Sequence, residues 1–371
     1  MEQKGYPIRV LHVLGALNIG GAEMMVMNLY RNIDREKIQF DFVIHTTAQG
    51  DFTNEILKLG GRIYSCPRYI GRNHIQYCKW WNNFLEEHRE YKIIHGHVRS
   101  TASLYMAIAK KKGCVTISHS HSTSNGEGIS ALAKNAMQYP IRYMADYMFA
   151  CSDEAGEWLF GRKACTEKKY FFFPNAIELS RFQYSESVRK EMRGDLDIER
   201  EMIIGTVGRI SKPKNPFGIL DIFERVSKKN EKAVLLWIGT GELEGEVKKE
   251  AVRRKLANRI HFMGNRKDVP ELMQTFDIFI FPSLWEGLPV TVIEAQAAGL
   301  PCLISDRVTK QVAVSKLVHY LPVDQGYEVW EEAILNSNLD RQDVQNEIRQ
   351  AGFDIHESAQ WLEKFYLKTN K

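Results

Sequence analysis

The chain has 371 residues, which at roughly 150 residues per domain is enough for two domains. Hydrophobic residues make up 44% and charged residues 26%, a composition typical of globular proteins that excludes whole-chain disorder, collagen and coiled coil. The net charge of +4 permits weak attraction to an anionic surface, but it does not indicate nucleic-acid binding, and we predict none.

The cysteines and the N-terminus indicate a cellular compartment. None of the six cysteines forms a C-x-x-C pair, and several lie inside apolar runs, which is typical of reduced, buried thiols. Residues 1–5 lack the apolar stretch of a signal peptide, and no run reaches the roughly 18 apolar residues of a membrane span. We therefore expect a cytoplasmic protein.

Apolar runs rich in β-branched residues alternate with amphipathic segments in the first half of the chain. The first run, Ile8 to Leu14, leads into a glycine turn and then a helix over residues 22–30. Further strands are predicted at residues 40–45, 92–98, 114–119, 147–152 and 170–173. Strand, turn, helix and strand is the pattern of βαβ units on a parallel sheet.

A charged stretch, residues 178–200, then interrupts the alternation and is interpreted as a connector that contains a helix. The pattern resumes with strands predicted at residues 202–207, 233–238, 259–263, 278–281, 301–305 and 318–321. We therefore predict an α/β protein of two Rossmann-like, doubly wound domains, residues 1–177 and 178–354, that face each other across a cleft. A helix within residues 355–371 has an apolar face, which covers the second domain or packs back on the first.

The most specific motif follows the predicted strand that ends at Phe281. It reads P-S-L-W-E-G-L-P-V-T-V-I-E-A-Q-A-A-G-L-P, with Glu286 on a loop and Glu294 eight positions later on a helix. Two carboxylates at one edge of a parallel sheet could accept hydrogen bonds from a polyhydroxylated ligand. The start of that helix would offer free N–H groups to a phosphate.

Two shorter motifs follow other predicted strands. Residues 205–215, G-T-V-G-R-I-S-K-P-K-N, contain Arg209 and Lys214, and the donor fork of arginine with the point charge of lysine suits a diphosphate. Residues 237–243, W-I-G-T-G-E-L, place glycines where the backbone can approach a ligand. Each of these motifs is weak by itself, because glycine after a strand is common in α/β proteins.

Together with H-F-M-G-N-R-K-D-V-P between them and G-G-A-E at residues 20–23, these motifs resemble the retaining GT-B glycosyltransferases of family 4. The segments I-S-H-S-H-S and A-C-S-D-E-A-G-E-W-L-F look most like capsular and exopolysaccharide enzymes. The resemblance implies transfer of a hexosyl group from a nucleotide diphosphate sugar, with a UDP-sugar as the expected donor, to a sugar or lipid-linked oligosaccharide acceptor. A lipid-linked acceptor would bring the protein to the inner face of the cell membrane.

The resemblance also implies residue roles. Arg209 and Lys214 would hold the diphosphate and stabilise the leaving group without a metal ion or cofactor, Glu286 would contact the donor sugar, and Glu294 would hold the ribose hydroxyls. His119 matches the active-site histidine of the family, and His121 is an alternative match. The remaining donor-binding residues would be Gly20, Gly21, Gly208, Gly241, Leu243, Asn265, Arg266, Gly287 and Leu288.

The histidine pairs and one aromatic segment have other interpretations. The pairs His95/His97 and His119/His121 have the alternate spacing of zinc ligands on a strand, but no cysteine or acidic partner stands at ligand spacing, so we predict no metal site. His95 is interpreted as a core or cleft histidine, and His97 fits an acceptor cleft or core packing. Residues 68–92 combine basic and aromatic side chains, which suits a membrane interface, whereas their glutamates favour a helix packed on the first domain.

Two other functions compete with sugar transfer. An epimerase acting on UDP-N-acetylglucosamine could use the same fold, but it would need acid and base groups for elimination. A non-catalytic homologue that only binds a sugar nucleotide is the second alternative. Neither alternative favours the full set of polar motif residues found here.

Overall fold

The computed structural model describes residues 6–122, 129–198 and 201–370. Residues 1–5, examined above for a targeting signal, residues 199–200 of the predicted connector, and Lys371 lie outside the described residues. The chain divides into two units: unit 1 comprises Met1–Ala176 with Ile355–Lys371, and unit 2 comprises Ile177–Asp354.

Unit 1 is built on a parallel sheet that has, among the described residues, seven strands in the order β3-β2-β1-β4-β5-β6-β7. The pattern of alternating strands and helices predicted six of them and missed β3, a three-residue strand at the sheet edge that is too short for a recognisable run. The strands are β1 Ile8–Leu14, β2 Ile38–Ile44, β3 Ile63–Ser65, β4 Ile93–Gly96, β5 Val115–Ser120, β6 Tyr147–Ala150 and β7 Tyr170–Phe172.

The helices of unit 1 follow the strands, as βαβ connections require. The helix α3 lies within the basic and aromatic segment of residues 68–92, and its Tyr77, Trp81 and Phe84 are buried in the core of unit 1. The helices in this part of the chain are α1 Gly21–Asn32, α2 Thr53–Lys58, α3 His74–Glu87, α4 Ala102–Lys111, α5 Ile129–Gln138, α6 Ile141–Met144 and α7 Asp153–Phe160.

Unit 2 contains a second parallel sheet, with six strands among its described residues in the order β10-β9-β8-β11-β12-β13. These strands are β8 Met202–Val207, β9 Ala233–Ile238, β10 Ile260–Gly264, β11 Ile278–Phe281, β12 Cys302–Ser305 and β13 Val318–Leu321. Its helices are α8 Leu179–Phe182, α9 Glu186–Asp195, α10 Pro216–Lys229, α11 Glu244–Arg253, α12 Val269–Thr275, α13 Val290–Ala297, α14 Glu328–Asn336 and α15 Gln345–Gln350.

The helix α16, Ile355–Thr369, belongs to unit 1 although it follows unit 2 in the sequence. It contacts α1 and β2, and the side chains of Leu362 and Tyr366 are fully buried in the same core cluster as Phe40. Burial of apolar side chains from an amphipathic helix is what holds such a helix to a sheet. The apolar face of α16 therefore completes the core of unit 1.

Two further observations concern the cysteines and the length and polarity of the helices. All six cysteines are free, and four of them are buried, whereas Cys78 and Cys165 are partly exposed. Within the described residues, every helix is too short or too polar to cross a lipid bilayer.

Candidate active site

In unit 2 the motif residues lie at the carboxyl ends of three neighbouring strands, β9, β8 and β11. Because parallel strands end at one edge of the sheet, the loops after them meet there. The backbone N–H of Gly208 donates to the carbonyl of Ile238 at 2.9 Å, and the N–H of Leu284 donates to the carbonyl of Pro213 at 2.8 Å. The three predicted motifs thus form one cluster of connected loops.

Two glycines allow the loops after β8 and β9 to approach each other. Gly239 has φ 131°, and a Cβ atom there would lie 2.2 Å from the carbonyl oxygen of Gly208. A Cβ atom on Gly241 would lie 2.2 Å from the carbonyl oxygen of Ile210. Any side chain at either position would push these loops apart, which is the physical reason for glycine here.

The charged residues of the second motif surround a small cavity. Lys214 forms an ion pair with Glu286 at 2.6 Å, and its ammonium group lies 4.5 Å from the ring centroid of Phe281. Arg209 and Gly208 line the same cavity, and the side chain of Arg209 is exposed, with no ion pair among the described residues. A cation paired with a carboxylate beside an unpaired guanidinium is an arrangement that can accept an anionic ligand.

Asn215 fixes the loop that carries Lys214, although the sequence analysis gave it no role. It has the left-handed backbone conformation, φ 54° and ψ 54°, and its Oδ1 caps α10 by accepting from the N–H of Gly218 at 3.3 Å. Its Nδ2 donates to the carbonyl of Pro282 at 3.1 Å and lies 3.0 Å from the hydroxyl of Tyr327. The sequence Asn-Pro at the start of an amphipathic run is a signal for such a cap.

Glu294 lies on α13, and its side chain is half-buried. Burial disfavours the charged carboxylate and raises the pKa of Glu294 to about 7, while the nearby Arg181 acts in the opposite direction. The helix ends at Ala297, and Gly299 follows it with φ 73°. A ligand that donates hydrogen bonds to Glu294 would favour its ionised form.

The other predicted donor-binding residues of unit 2 are distributed around these loops. The N–H of Leu243 donates to the carbonyl of Ile210, and Asn265 Oδ1 accepts from the hydroxyl of Thr240 at 3.2 Å. Arg266 is exposed and forms an ion pair with Asp268. The last two predicted residues lie on the loop before α13, Gly287 exposed and Leu288 packed against the core.

In unit 1, the predicted glycine loop forms the start of α1. Gly20 is the N-cap residue and Gly21 the first residue of the helix. A Cβ atom on Gly20 would lie 2.5 Å from a carboxylate oxygen of Glu23, whereas one on Gly21 would meet open space. Burial raises the pKa of Glu23.

The predicted active-site histidine belongs to a cluster of five histidines on one face of the sheet in unit 1. His12 is in β1, opposite His95 in β4, and His119 is in β5. His97 and His121 come directly after β4 and β5, and their spacing brings them to the same face as His95 and His119. Ring centroids of neighbouring members are 4.1–5.4 Å apart.

The ring nitrogens of the cluster form two separate hydrogen-bonded chains. In the first, Tyr366 on α16 bonds His95 Nδ1 at 2.6 Å, and His95 Nε2 bonds His119 Nδ1 at 3.2 Å. In the second, His12 Nδ1 bonds His97 Nε2 at 3.0 Å, and His97 Nδ1 bonds His121 Nε2 at 2.8 Å. Sequence analysis missed His12 and Tyr366, since only strand register and helix packing bring them to the cluster.

Burial keeps all five imidazoles neutral. It lowers the pKa of His12 and of His121 to about 3, and it lowers the pKa of His95, His97 and His119 well below the usual range of histidine. These groups are therefore neutral donors and acceptors at physiological pH, not cations.

Neutral histidines this close together raise the question of a metal ion. Two triplets have nitrogens within 4.8 Å of one another: His12, His95 and His97, and His97, His119 and His121. His97 belongs to both triplets, and it uses both of its ring nitrogens in hydrogen bonds, to His12 and to His121. A metal ion bound by either triplet through His97 would have to replace one of these bonds.

Comparison with known proteins gives matches along most of the chain. The family model "Glycosyltransferase Family 4" matches residues 19–181, and "Glycosyl transferases group 1" matches residues 188–352. The chain is 34% identical to EpsF of Bacillus subtilis, a protein named as a glycosyltransferase, over 96% of each chain. It is 25% identical to a UDP-Gal:alpha-D-GlcNAc-diphosphoundecaprenol alpha-1,3-galactosyltransferase of Escherichia coli, over 82% of this chain and 81% of that protein.

Solved structures show the same fold. The crystal structure of Anabaena HepE in complex with UDP superposes with a TM-score of 0.77, at 16% sequence identity, over 98% of this chain and 100% of that one. The predicted GT-B fold, with two Rossmann-like α/β domains, is thereby confirmed. The residue roles inferred from the resemblance are a separate question.

Proposed function

Because the chain belongs to the family 4 glycosyltransferases, we propose that it moves a hexosyl group from a UDP-sugar to a sugar or lipid-linked sugar acceptor in polysaccharide assembly. The proposal is supported by relatives whose names describe a UDP-galactose-dependent transferase and a capsular polysaccharide glycosyltransferase. A neighbour in fold was crystallised with UDP and glucose. Transfer retains the anomeric configuration and requires no metal ion.

The arrangement of Lys214, Glu286 and Arg209 carries this proposal. In the unliganded protein the ammonium group of Lys214 is paired with Glu286, and Arg209 has no ionic partner among the described residues. A diphosphate brings two negative charges that can satisfy both cations. Glu286 is then released from Lys214 to accept a hydrogen bond from the donor sugar.

The same cations replace the metal ion that other transferases use. Negative charge develops on the diphosphate as the bond to the sugar breaks, and preorganised positive groups stabilise it in the transition state. Glu294 holds the ribose hydroxyls. The glycines and the backbone at Gly208, Gly241 and Leu243 contact the nucleotide, and Asn265 and Arg266 border its base.

His119 in unit 1 contacts the transferred sugar as a positioning group. Its low pKa makes it a poor base at neutral pH, and its Nδ1 is bonded to another histidine and not to a carboxylate that would orient and polarise it. Gly20 and Gly21, which carry no side chain at the start of α1, leave room for the sugar phosphate.

The acceptor class is proposed from the relatives. Two of them are named for sugars linked to diphosphoundecaprenol, a membrane lipid. An enzyme that uses such an acceptor works at the cytoplasmic face of the membrane in peripheral contact with it.

The experiment incubates the protein with a panel of UDP-sugars and follows UDP release with and without sugar acceptors. We expect acceptor-dependent release for one sugar, unchanged in excess EDTA, and NMR of the product should show an α linkage from an α-linked donor. An epimerised sugar nucleotide, binding without turnover, a β-linked product, or activity that EDTA abolishes and Mg²⁺ restores would each contradict a part of the proposal.

A further inference from the structure

The chain Tyr366–His95–His119 ends in a nitrogen without a partner. His119 Nε2 is buried and makes no hydrogen bond in the described part of the chain, while His119 Nδ1 is bonded to His95. His95 uses both of its ring nitrogens in hydrogen bonds, one to Tyr366 and one to His119. Whether His119 Nε2 donates a hydrogen bond to a substrate or accepts one from it therefore depends on which ring nitrogens of this hydrogen-bonded chain carry the protons.

A neutral imidazole has a proton on only one of its two ring nitrogens, so His95 and His119 each donate at one nitrogen and accept at the other. Only two arrangements satisfy both bonds. In the first, the hydroxyl of Tyr366 donates to His95 Nδ1, and His95 Nε2 donates to His119 Nδ1. In the second, His119 Nδ1 donates to His95 Nε2, and His95 Nδ1 donates to the hydroxyl of Tyr366. The first leaves a proton on His119 Nε2, and the second leaves a bare lone pair there.

The hydroxyl of Tyr366 decides between the two arrangements. Its side chain is fully buried, and burial raises the pKa of Tyr366 well above that of a free tyrosine, so the hydroxyl keeps its proton. Its one hydrogen-bond partner among the described residues is His95 Nδ1. In the reversed arrangement the buried hydroxyl would have to leave its proton without an acceptor, which is costly.

We propose that Tyr366, acting through His95, fixes the tautomer of His119 so that its Nε2 carries the proton and donates a hydrogen bond to a hydroxyl oxygen of the sugar. Tyr366 and His95 are positioning residues, since they act on the sugar through His119. The part of the proposal that concerns the sugar rests on the proposed function. The hydrogen-bonded chain His12–His97–His121 has imidazoles at both ends, and among the described residues no hydroxyl bonds its terminal ring nitrogens.

The tautomer is measured without substrate. In protein labelled with ¹⁵N at histidine, ring nitrogen shifts distinguish protonated from bare nitrogens, and His119 is assigned by the signals lost in His119→Gln. We expect a protonated Nε2 in the wild type and a shift toward protonated Nδ1 in Tyr366→Phe, which removes only the hydroxyl. A wild-type His119 protonated at Nδ1, or ring signals unchanged in Tyr366→Phe, would overturn the proposal.

Tyr30→Phe is the matched control for loss of a buried hydroxyl. Tyr30 lies in the same core cluster, packs on the same Phe40, and bonds Gln39 and the carbonyl of Leu59, not a histidine. Its removal should destabilise the core to a similar degree and leave the tautomer of His119 unchanged. A change in the ring nitrogen signals of His119 as large as that in Tyr366→Phe would show that loosening of the core, and not the hydrogen bond from Tyr366, sets the tautomer.

Turnover tests the link to the sugar. We expect Tyr366→Phe to lower kcat about tenfold, the order expected for one misdirected hydrogen bond, with UDP affinity unchanged. His95→Gln can still accept from Tyr366 and donate to His119, so it should retain more activity than His95→Leu. A changed tautomer with unchanged kcat would refute the contact with the sugar. If no UDP-sugar in the panel is turned over, the proposed function fails, while the NMR spectra still decide the tautomer.

Discussion

In the unliganded protein Lys214 pairs with the carboxylate of Glu286, and we propose that the diphosphate of a donor replaces this partner. If the diphosphate is the partner in the transition state, Lys214→Ala and Arg209→Ala should each lower kcat by roughly 10²-fold or more, as expected for lost electrostatic stabilisation. The measurement is UDP release at saturating donor and acceptor.

Lys212 supplies the control for these variants. It is an exposed cation on the same short 3₁₀ turn as Lys214, Lys212–Lys214, and does not line the cavity. Lys212→Ala should turn over at close to the wild-type rate. Near-normal kcat in both Lys214→Ala and Arg209→Ala would mean that these two residues do not hold the diphosphate.

The raised pKa of Glu294 predicts that donor affinity depends on pH. Its pKa of about 7 means that the carboxylate is mostly protonated at pH 6 and mostly ionised at pH 8. Only the ionised form accepts strong hydrogen bonds from both ribose hydroxyls, so affinity for UDP-glucose should rise as pH rises, by up to about tenfold over this range. UDP-glucose is the suitable probe, because it lacks a terminal phosphate that titrates near pH 7.

The control for this pH dependence is Glu294→Gln, which should bind more weakly and with little change between pH 6 and pH 8 in isothermal titration calorimetry. A wild-type affinity that falls with rising pH would exclude the ionised carboxylate as the ribose acceptor.

The residues of unit 2 were accessible to sequence reasoning, whereas the histidine chains were only partly so. Lys214, Glu286 and Glu294 stand within one or two short motifs, and the strand-to-loop pattern that places them at a sheet edge is local. His119 was identified by its motif, but its bonding depends on the register of three strands. The partner of His95 comes from residue 366, a separation of 271 positions that no local pattern encodes.

The helix α16 is held to unit 1 by a few buried side chains. Leu362 is fully buried in the core cluster, so Leu362→Ala should lower the free energy of unfolding of unit 1 by about 2–5 kcal/mol. Leu367 on the same helix is 38% exposed, and Leu367→Ala should change the free energy of unfolding by roughly 0.5 kcal/mol or less. Native-state hydrogen exchange of β1 amides reports the stability of unit 1 by itself, and equal effects of the two variants would contradict this packing.

At the scale of elements, strands with a recognisable apolar run were predictable, whereas a three-residue strand and a non-local packing contact were not. The strands β1, β8, β9, β11 and β13 begin and end where the apolar runs do. The edge strand β3 has three residues, too few to show alternation. Which unit α16 covers could not be decided from its apolar face, because the complementary surface is formed by residues far away in the sequence, such as Phe40, which packs on Tyr366.

At the scale of the whole molecule, the division into two units predicts which unit a bound nucleotide protects from amide exchange. If UDP binds to the loops after β8, β9 and β11, it should slow amide exchange in those loops and at the start of α13, and leave the sheet of unit 1 unchanged. Hydrogen–deuterium exchange with mass spectrometry measures this segment by segment. Lys214→Ala should weaken the protection, and protection confined to unit 1 would place the nucleotide elsewhere.

The position of α16 in the sequence has a consequence for the nascent chain. A ribosome delivers the seven strands of unit 1 first, then all of unit 2, and only afterwards the helix that covers α1 and β2. Throughout that interval the site for α16 exposes apolar surface, a condition that favours aggregation or capture by a chaperone. Unit 2 is synthesised as one continuous stretch, whereas unit 1, with the hydrogen-bonded chain Tyr366–His95–His119, can be completed only after residue 366 has been made.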